Sequence, residues 1–158
     1  MSKVVSNSTP LIALSKIGYF SLLQEYFSEV YIPQAVYSEV VERKPELYGA
    51  KEVASLSWVK TQKVQNQLAV ETLRSHLGAG ESEAIVLATE SKADLLLLDE
   101  ASGRRIAQSL GLKITGTVGV LLKAAKDGKL DLKESLDRLL AEGFRLSEKE
   151  YQRILKLV

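Results

Sequence analysis

The chain has 158 residues, 46% apolar and 26% charged, and its 21 basic and 20 acidic side chains nearly cancel, so net charge points to no particular partner. The absence of cysteine excludes disulfides, zinc–thiolate sites and thiol nucleophiles, and a lone histidine, His76, excludes a multi-histidine metal cage. No stretch approaches the ~20 apolar residues needed to span a bilayer, and MSKVVSNSTP has no signal-peptide core; a cytoplasmic location with no membrane partner is expected.

Short apolar runs alternate with longer amphipathic stretches, a pattern of βα units around a mostly parallel sheet. Val4-Val5-Ser6 reads as the first strand. Thr9 is then a candidate helix cap with Pro10 in first position, and Gly18 is the stop. A helix over Phe20–Phe27, a strand over Glu29–Ile32 and a helix from Pro33 through Val41 follow. Pro45–Ser55 is expected to be helical, Trp58–Lys60 extended, and Asn66–Leu77 a polar amphipathic helix running into Gly78-Ala79-Gly80. His76, near the end of that helix, reads as a dipole-complementing residue rather than a catalytic one.

The second half is more sharply patterned. A helix is expected over Glu81–Ser91, and Leu95–Leu98 is a continuous apolar run suited to a central parallel strand. Ser102–Leu110 is the next helix, Gly111 its stop, Lys113–Thr115 a short strand and Thr117–Lys126 another helix. Two helices from about residue 130 to 158 finish the chain, the last opened by a Ser147/Glu150 capping box. With no linker, repeat or low-complexity tract, residues 1–158 read as a single domain.

Ligands bind an open parallel sheet beyond the carboxyl ends of its strands. Asn7-Ser8-Thr9 follows the first strand, and Asp99-Glu100 follows the tetraleucine strand. Glu39 lies in the helix after the second strand, while Glu81 and Glu83 open the helix leading into the tetraleucine strand. That helix runs antiparallel to its strand, so Glu81 and Asp99 are expected to face each other. Such carboxylates suit Mg2+ or Mn2+, hard cations that prefer oxygen ligands. Each position also has a structural reading: Glu81 and Glu83 as first-turn dipole residues, Asn7 and Asp99 as caps or turns. Tyr19, Tyr26 and Tyr31 read as core or rim packing.

The segments 4–14 (VVSNSTPLIAL), 32–40 (IPQAVYSEV), 77–85 (LGAGESEAI) and 95–100 (LLLLDE) together resemble PIN-domain proteins. The resemblance is closest to a prokaryotic PIN-like subgroup that shares the 77–85 segment and the Gly-Leu-x-x-Thr-Gly-Thr-x-Gly run at 111–119. It implies a three-layer α/β/α sandwich and metal-dependent RNA cleavage, often as the toxin of a toxin–antitoxin pair. It further implies an antitoxin partner and a homodimer.

Carried over residue by residue, the metal ligands are Asn7, Glu39, Glu81 and Asp99, the last three also catalytic. Glu83 and Glu100 are neighbouring acids that assist, and Ser8 and Thr9 support the site. Asn7 stands where the family has a carboxylate; its amide oxygen can ligate a hard cation but cannot act as a base. Arg104 and Arg105 are candidate phosphate-binding residues for RNA, with Lys113 and Lys123 expected near them. The alternative to a nuclease is a weak or inactive PIN-like module that binds RNA or protein. A receiver-like phospho-acceptor fits less well, because paired acids are then expected where the chain has Asn7-Ser8.

Overall fold

The structure is a computed structural model that describes residues 2–43 and 45–158. Five short strands form one sheet: β1 (Val4–Ser6), β2 (Val30–Pro33), β3 (Val59–Gln62), β4 (Leu95–Leu97) and β5 (Ile114–Thr115). Their order is β3-β2-β1-β4-β5 and every pairing is parallel. Parallel neighbours need crossover connections, and the amphipathic stretches supply them as helices. These are α1 (Ser8–Lys16), α2 (Leu22–Phe27), α3 (Gln34–Tyr37), α4 (Ala50–Ser55), α5 (Gln67–Leu73), α6 (Ala79–Glu90) and α7 (Ala101–Ser109). They continue with α8 (Thr117–Lys126), α9 (Leu132–Ala141) and α10 (Glu148–Leu155).

The layering follows from strand alternation, which sends successive side chains to opposite faces. Val4 and Leu97 join a core with Leu14, Leu23, Leu121 and Leu136 from α1, α2, α8 and α9. Val5, Leu96 and Leu98 join a second core with Val70, Ile85 and Ala107 from α5, α6 and α7. The sheet is thus covered on both faces, which explains why β1 and β4 are apolar apart from the buried Ser6. The expected α/β/α sandwich is what the chain forms.

Several boundaries differ from expectation for local reasons. Asn7, not Thr9, is the cap of α1, so Pro10 falls in the third helical position, where an N–H would have had no intrahelical partner in any case. The helix after β2 is ordinary only over α3. Ser38–Glu42 then forms a π turn in which the Arg43 amide reaches back to the Ser38 carbonyl. Pro45–Gly49 is a run of turns, and α4 starts only after Gly49, whose φ of 87° breaks the helix. Helix α5 ends at Leu73, leaving His76 exposed in the following turn. The Ser147/Glu150 capping box forms as expected.

Burial separates two leucines by consequence. Leu121 is 0% exposed and Leu68 is 79% exposed. Leu121→Ala is expected to lower unfolding free energy by about 2–5 kcal/mol, because a cavity is left in the larger core. Leu68→Ala is expected to change it by less than about 0.5 kcal/mol. Urea unfolding followed by circular dichroism checks both.

Candidate metal centre

Strand order reverses between β1 and β4: the chain leaves β1 toward β2 on one side, while β4 pairs on the other. Such a reversal opens a crevice at the carboxyl ends of the two strands. The Asn7 amide donates to the Leu97 carbonyl at 3.0 Å, which carries the β1–β4 ladder to the crevice's edge. Asn7 caps α1 by position, yet its side chain makes no capping hydrogen bond. Its Nδ2 instead donates to Glu100 Oε2 at 3.4 Å. Its Oδ1 is buried and has no hydrogen-bond partner.

Glu39 arrives from the π turn, an irregularity often found at functional positions. Ser8 Oγ donates to its Oε2 at 2.5 Å, and the Gly80 amide donates to its Oε1 at 2.9 Å. Gly80 lies in the first turn of α6, so Glu39 satisfies one of that helix's free amides from another element. A Cβ at position 80 would stand 2.5 Å from Glu39 Oε2, so only glycine admits this carboxylate.

Glu81, one residue on, has Oε2 buried without a partner. Burial pushes its carboxyl above the usual range, and the charges of Glu100 and then Glu39 push the same way, against the Gly78 backbone. Gly103 of α7 makes room here, since a Cβ there would lie 2.7 Å from Glu81 Oε2. Glu100 accepts from Thr9 Oγ1 at 2.7 Å as well as from Asn7. Asn7, Glu39, Glu81 and Glu100 are therefore one electrostatic cluster, with Ser8 and Thr9 holding two of its acids in place.

Asp99 is arranged differently. Both its oxygens are taken by Thr117 at the start of α8, through the amide at 2.8 Å and the hydroxyl at 2.7 Å. Burial raises its carboxyl, the Thr117 hydrogen bonds oppose this, Glu100 adds to it, and Arg104 opposes it. The acid felt first at Glu81 is thus Glu100 rather than the expected Asp99. Thr117 had no assigned role in the sequence, although it lies within the 111–119 segment. Glu83 is turned away, accepting the Ala35 amide at 3.0 Å at the start of α3.

Arg104 donates to the Leu98 carbonyl at 3.1 Å and stands beside Asp99, while Arg105 is exposed. Lys113 and Lys123 do not join them. Lys113 precedes β5, at the amino end of the sheet, and Lys123 pairs with Asp127 at 3.6 Å near the end of α8.

Among the described residues, no three His, Cys, Asp or Glu side chains converge as a ready-made metal cage. The crevice nevertheless fits a hard cation. It presents carboxylate and amide oxygens, and two of these, Asn7 Oδ1 and Glu81 Oε2, are buried acceptors with no donor. Buried acceptors are rarely left so unless an ion or water completes them. Magnesium typically takes only one or two carboxylates and keeps several waters.

The metal-free crevice carries an electrostatic cost that substitution should relieve. A raised folded-state pKa means that ionising Glu81 opposes folding; the cost is absent at low pH and grows as pH rises through the carboxylate range. Glu81→Gln is expected to melt at a higher temperature than the wild type in EDTA at neutral pH. That advantage should shrink as pH falls toward the ordinary carboxylate pKa. Added Mn2+ should raise the wild-type midpoint more than the variant's, read by scanning fluorimetry.

A family described as PIN domain matches residues 3–158. Among curated proteins, none matches the chain. The match spans nearly every residue, including each element that builds the crevice, and it agrees with the parallel three-layer sandwich. The chain belongs to the PIN-domain family.

Proposed function

We propose that the chain is a Mg2+- or Mn2+-dependent endoribonuclease acting from the β1/β4 crevice. The observation that carries this is the pair of unpartnered buried oxygens, Asn7 Oδ1 and Glu81 Oε2, within a cluster that includes Glu39 and Glu100. Glu39, Glu81 and Asn7 Oδ1 would hold the ion. Asp99 also belongs to the acidic set, because each carboxylate oxygen keeps a second lone pair beyond its Thr117 hydrogen bond. When bound, the ion supplies Lewis acidity toward a phosphodiester and its attacking water.

The chain's own residues set the geometry. Ser8 and the Gly80 amide fix Glu39, Thr9 and Asn7 fix Glu100, and Thr117 fixes Asp99. Arg104, beside Asp99, supplies positive charge toward phosphate. A role as the toxin of a toxin–antitoxin pair, with an antitoxin partner and a homodimeric assembly, accompanies this reading on the strength of family membership. Among the described residues, no helix is long and apolar enough to cross a membrane.

Asn7 favours a second reading, a module that binds RNA or a protein without cutting. An amide in place of a carboxylate removes one negative charge and one possible base from the crevice. Calorimetry separates the two: the nuclease requires Mn2+ binding that Glu81→Gln weakens, and the binding module requires none.

Cleavage of a labelled single-stranded RNA in Mn2+, followed on gels, is the direct test. Activity should be lost in Glu81→Gln and in Asp99→Ala. Ser8→Ala, which removes a support of Glu39, should reduce activity by roughly 10–100-fold. Asn7→Asp should raise Mn2+ affinity and activity. Equal behaviour of wild type and Glu81→Gln would sink the catalytic reading.

A further inference from the structure

Beside the acidic crevice lies a cavity of about 560 Å³, bounded by Asp99 and Gly116 on one side and by α10 on the other. This falls within the roughly 300–1,000 Å³ of ordinary ligand pockets. Four arginines line it: Arg104 and Arg105 from α7, Arg145 from the segment before α10, and Arg153 from α10. No lysine is among the lining residues. Ion pairs elsewhere in the described residues all use lysine, so none of these arginines is paired with a carboxylate at salt-bridge distance.

The two acids that border the cavity are already engaged. Asp99 accepts from Thr117 through both oxygens, and Glu150 accepts from Ser147 in the capping box of α10. Four guanidinium groups against two carboxylates leave the recess with an excess of positive charge, and their planar forks match phosphate oxygens. The recess is not uniformly polar. Val118, Leu122, Phe144 and Leu146 give it an apolar wall. A ligand with a charged phosphate and a flat, weakly polar body satisfies both halves; a free phosphate or an acidic peptide satisfies only the first.

We infer that this cavity is a nucleotide subsite for single-stranded RNA, holding a phosphate and its base one step away from the acidic crevice. Its place in a substrate path rests on the nuclease reading above. Arg104 joins the two regions, touching the Leu98 carbonyl and standing beside Asp99 while also lining the cavity. The α9–α10 end of the chain thereby gains a role in substrate binding through Arg145 and Arg153, which neither the motifs nor the crevice had suggested.

The test is binding in EDTA, where cleavage is silent, using a short fluorescein-labelled oligouridylate and anisotropy. The paired charge reversal Arg145→Glu/Arg153→Glu is expected to weaken binding at least about tenfold. The slope of log affinity against log salt should flatten by about 0.7 for each phosphate that the protein no longer neutralises. Both positions are exposed, and the milder Arg145→Gln/Arg153→Gln pair, with an unchanged melting temperature, should show an intermediate weakening. Unchanged affinity and slope in both paired variants would overturn the inference, as would variants that keep RNA binding while losing binding to polyglutamate. Cleavage in Mn2+ is scored separately. Weakened RNA binding in the paired variants upholds the subsite even where the wild type cuts nothing, which would defeat the nuclease reading alone.

Discussion

Carboxylates gathered at the end of two buried strands repel one another, and much of the local structure answers that repulsion. Burial, with the charges of Glu100 and Glu39 beside it, raises the cost of ionising Glu81. A chain selected only for stability would place such acids on open surface, where water screens them. Here each fixed acid is held by a donor from a different part of the chain: Ser8 and Gly80 on Glu39, Thr9 and Asn7 on Glu100. Two glycines, Gly80 and Gly103, allow backbone to approach where any side chain would collide with a carboxylate. Asn7 is drawn out of its capping role into the same cluster. Gathering these acids is costly, and on the proposed reading that cost is what would give a divalent ion its leverage.

The fold was legible because its signals are local. The short apolar runs of β1 and β4, the glycine stops and the Ser147/Glu150 box each depend on residues within a few positions of one another. What was not legible depends on direction. Asp99 and Glu100 are adjacent, and the strand they follow sends neighbouring side chains to opposite faces, as Leu97 and Leu98 show. One acid therefore turns to Thr117 and Arg104, the other to Asn7 and Thr9. The Leu95–Leu98 run identifies the strand end, but it does not choose between the two acids there. The π turn at Ser38–Glu42 is similarly silent in sequence, since nothing in Ser-Glu-Val-Val-Glu distinguishes it from an ordinary helical turn.

Glu83 shows the same limit from the other side. At the sequence level it is equivalent to Glu81, two positions away at the start of α6. Two positions along a helix is a rotation of about 200°, which points the side chains to nearly opposite sides. Glu83 consequently reaches α3 and satisfies the Ala35 amide there, while Glu81 enters the crevice. Glu83 thus takes the structural role open to such acids, while Glu81, on the same motif, stands among the carboxylates of the crevice.

Charge is partitioned along the carboxyl edge of the sheet even though the chain as a whole is nearly neutral. Acids occupy the β1/β4 reversal, and arginines outnumber acids in the recess beyond β4 and β5. A polyanion approaching this edge is repelled at the first and attracted at the second. On the proposed reading, the arginine recess is the favourable part of the encounter without a divalent cation, and the carboxylates hold phosphate off. A cation in the crevice would offset two of those negative charges and so lower the repulsion toward phosphate there. On that reading, binding of a strand and its entry to the acidic site are separable in physical terms: the arginines would govern the first and the ion the second, and Arg104, beside Asp99 and lining the recess, would belong to both.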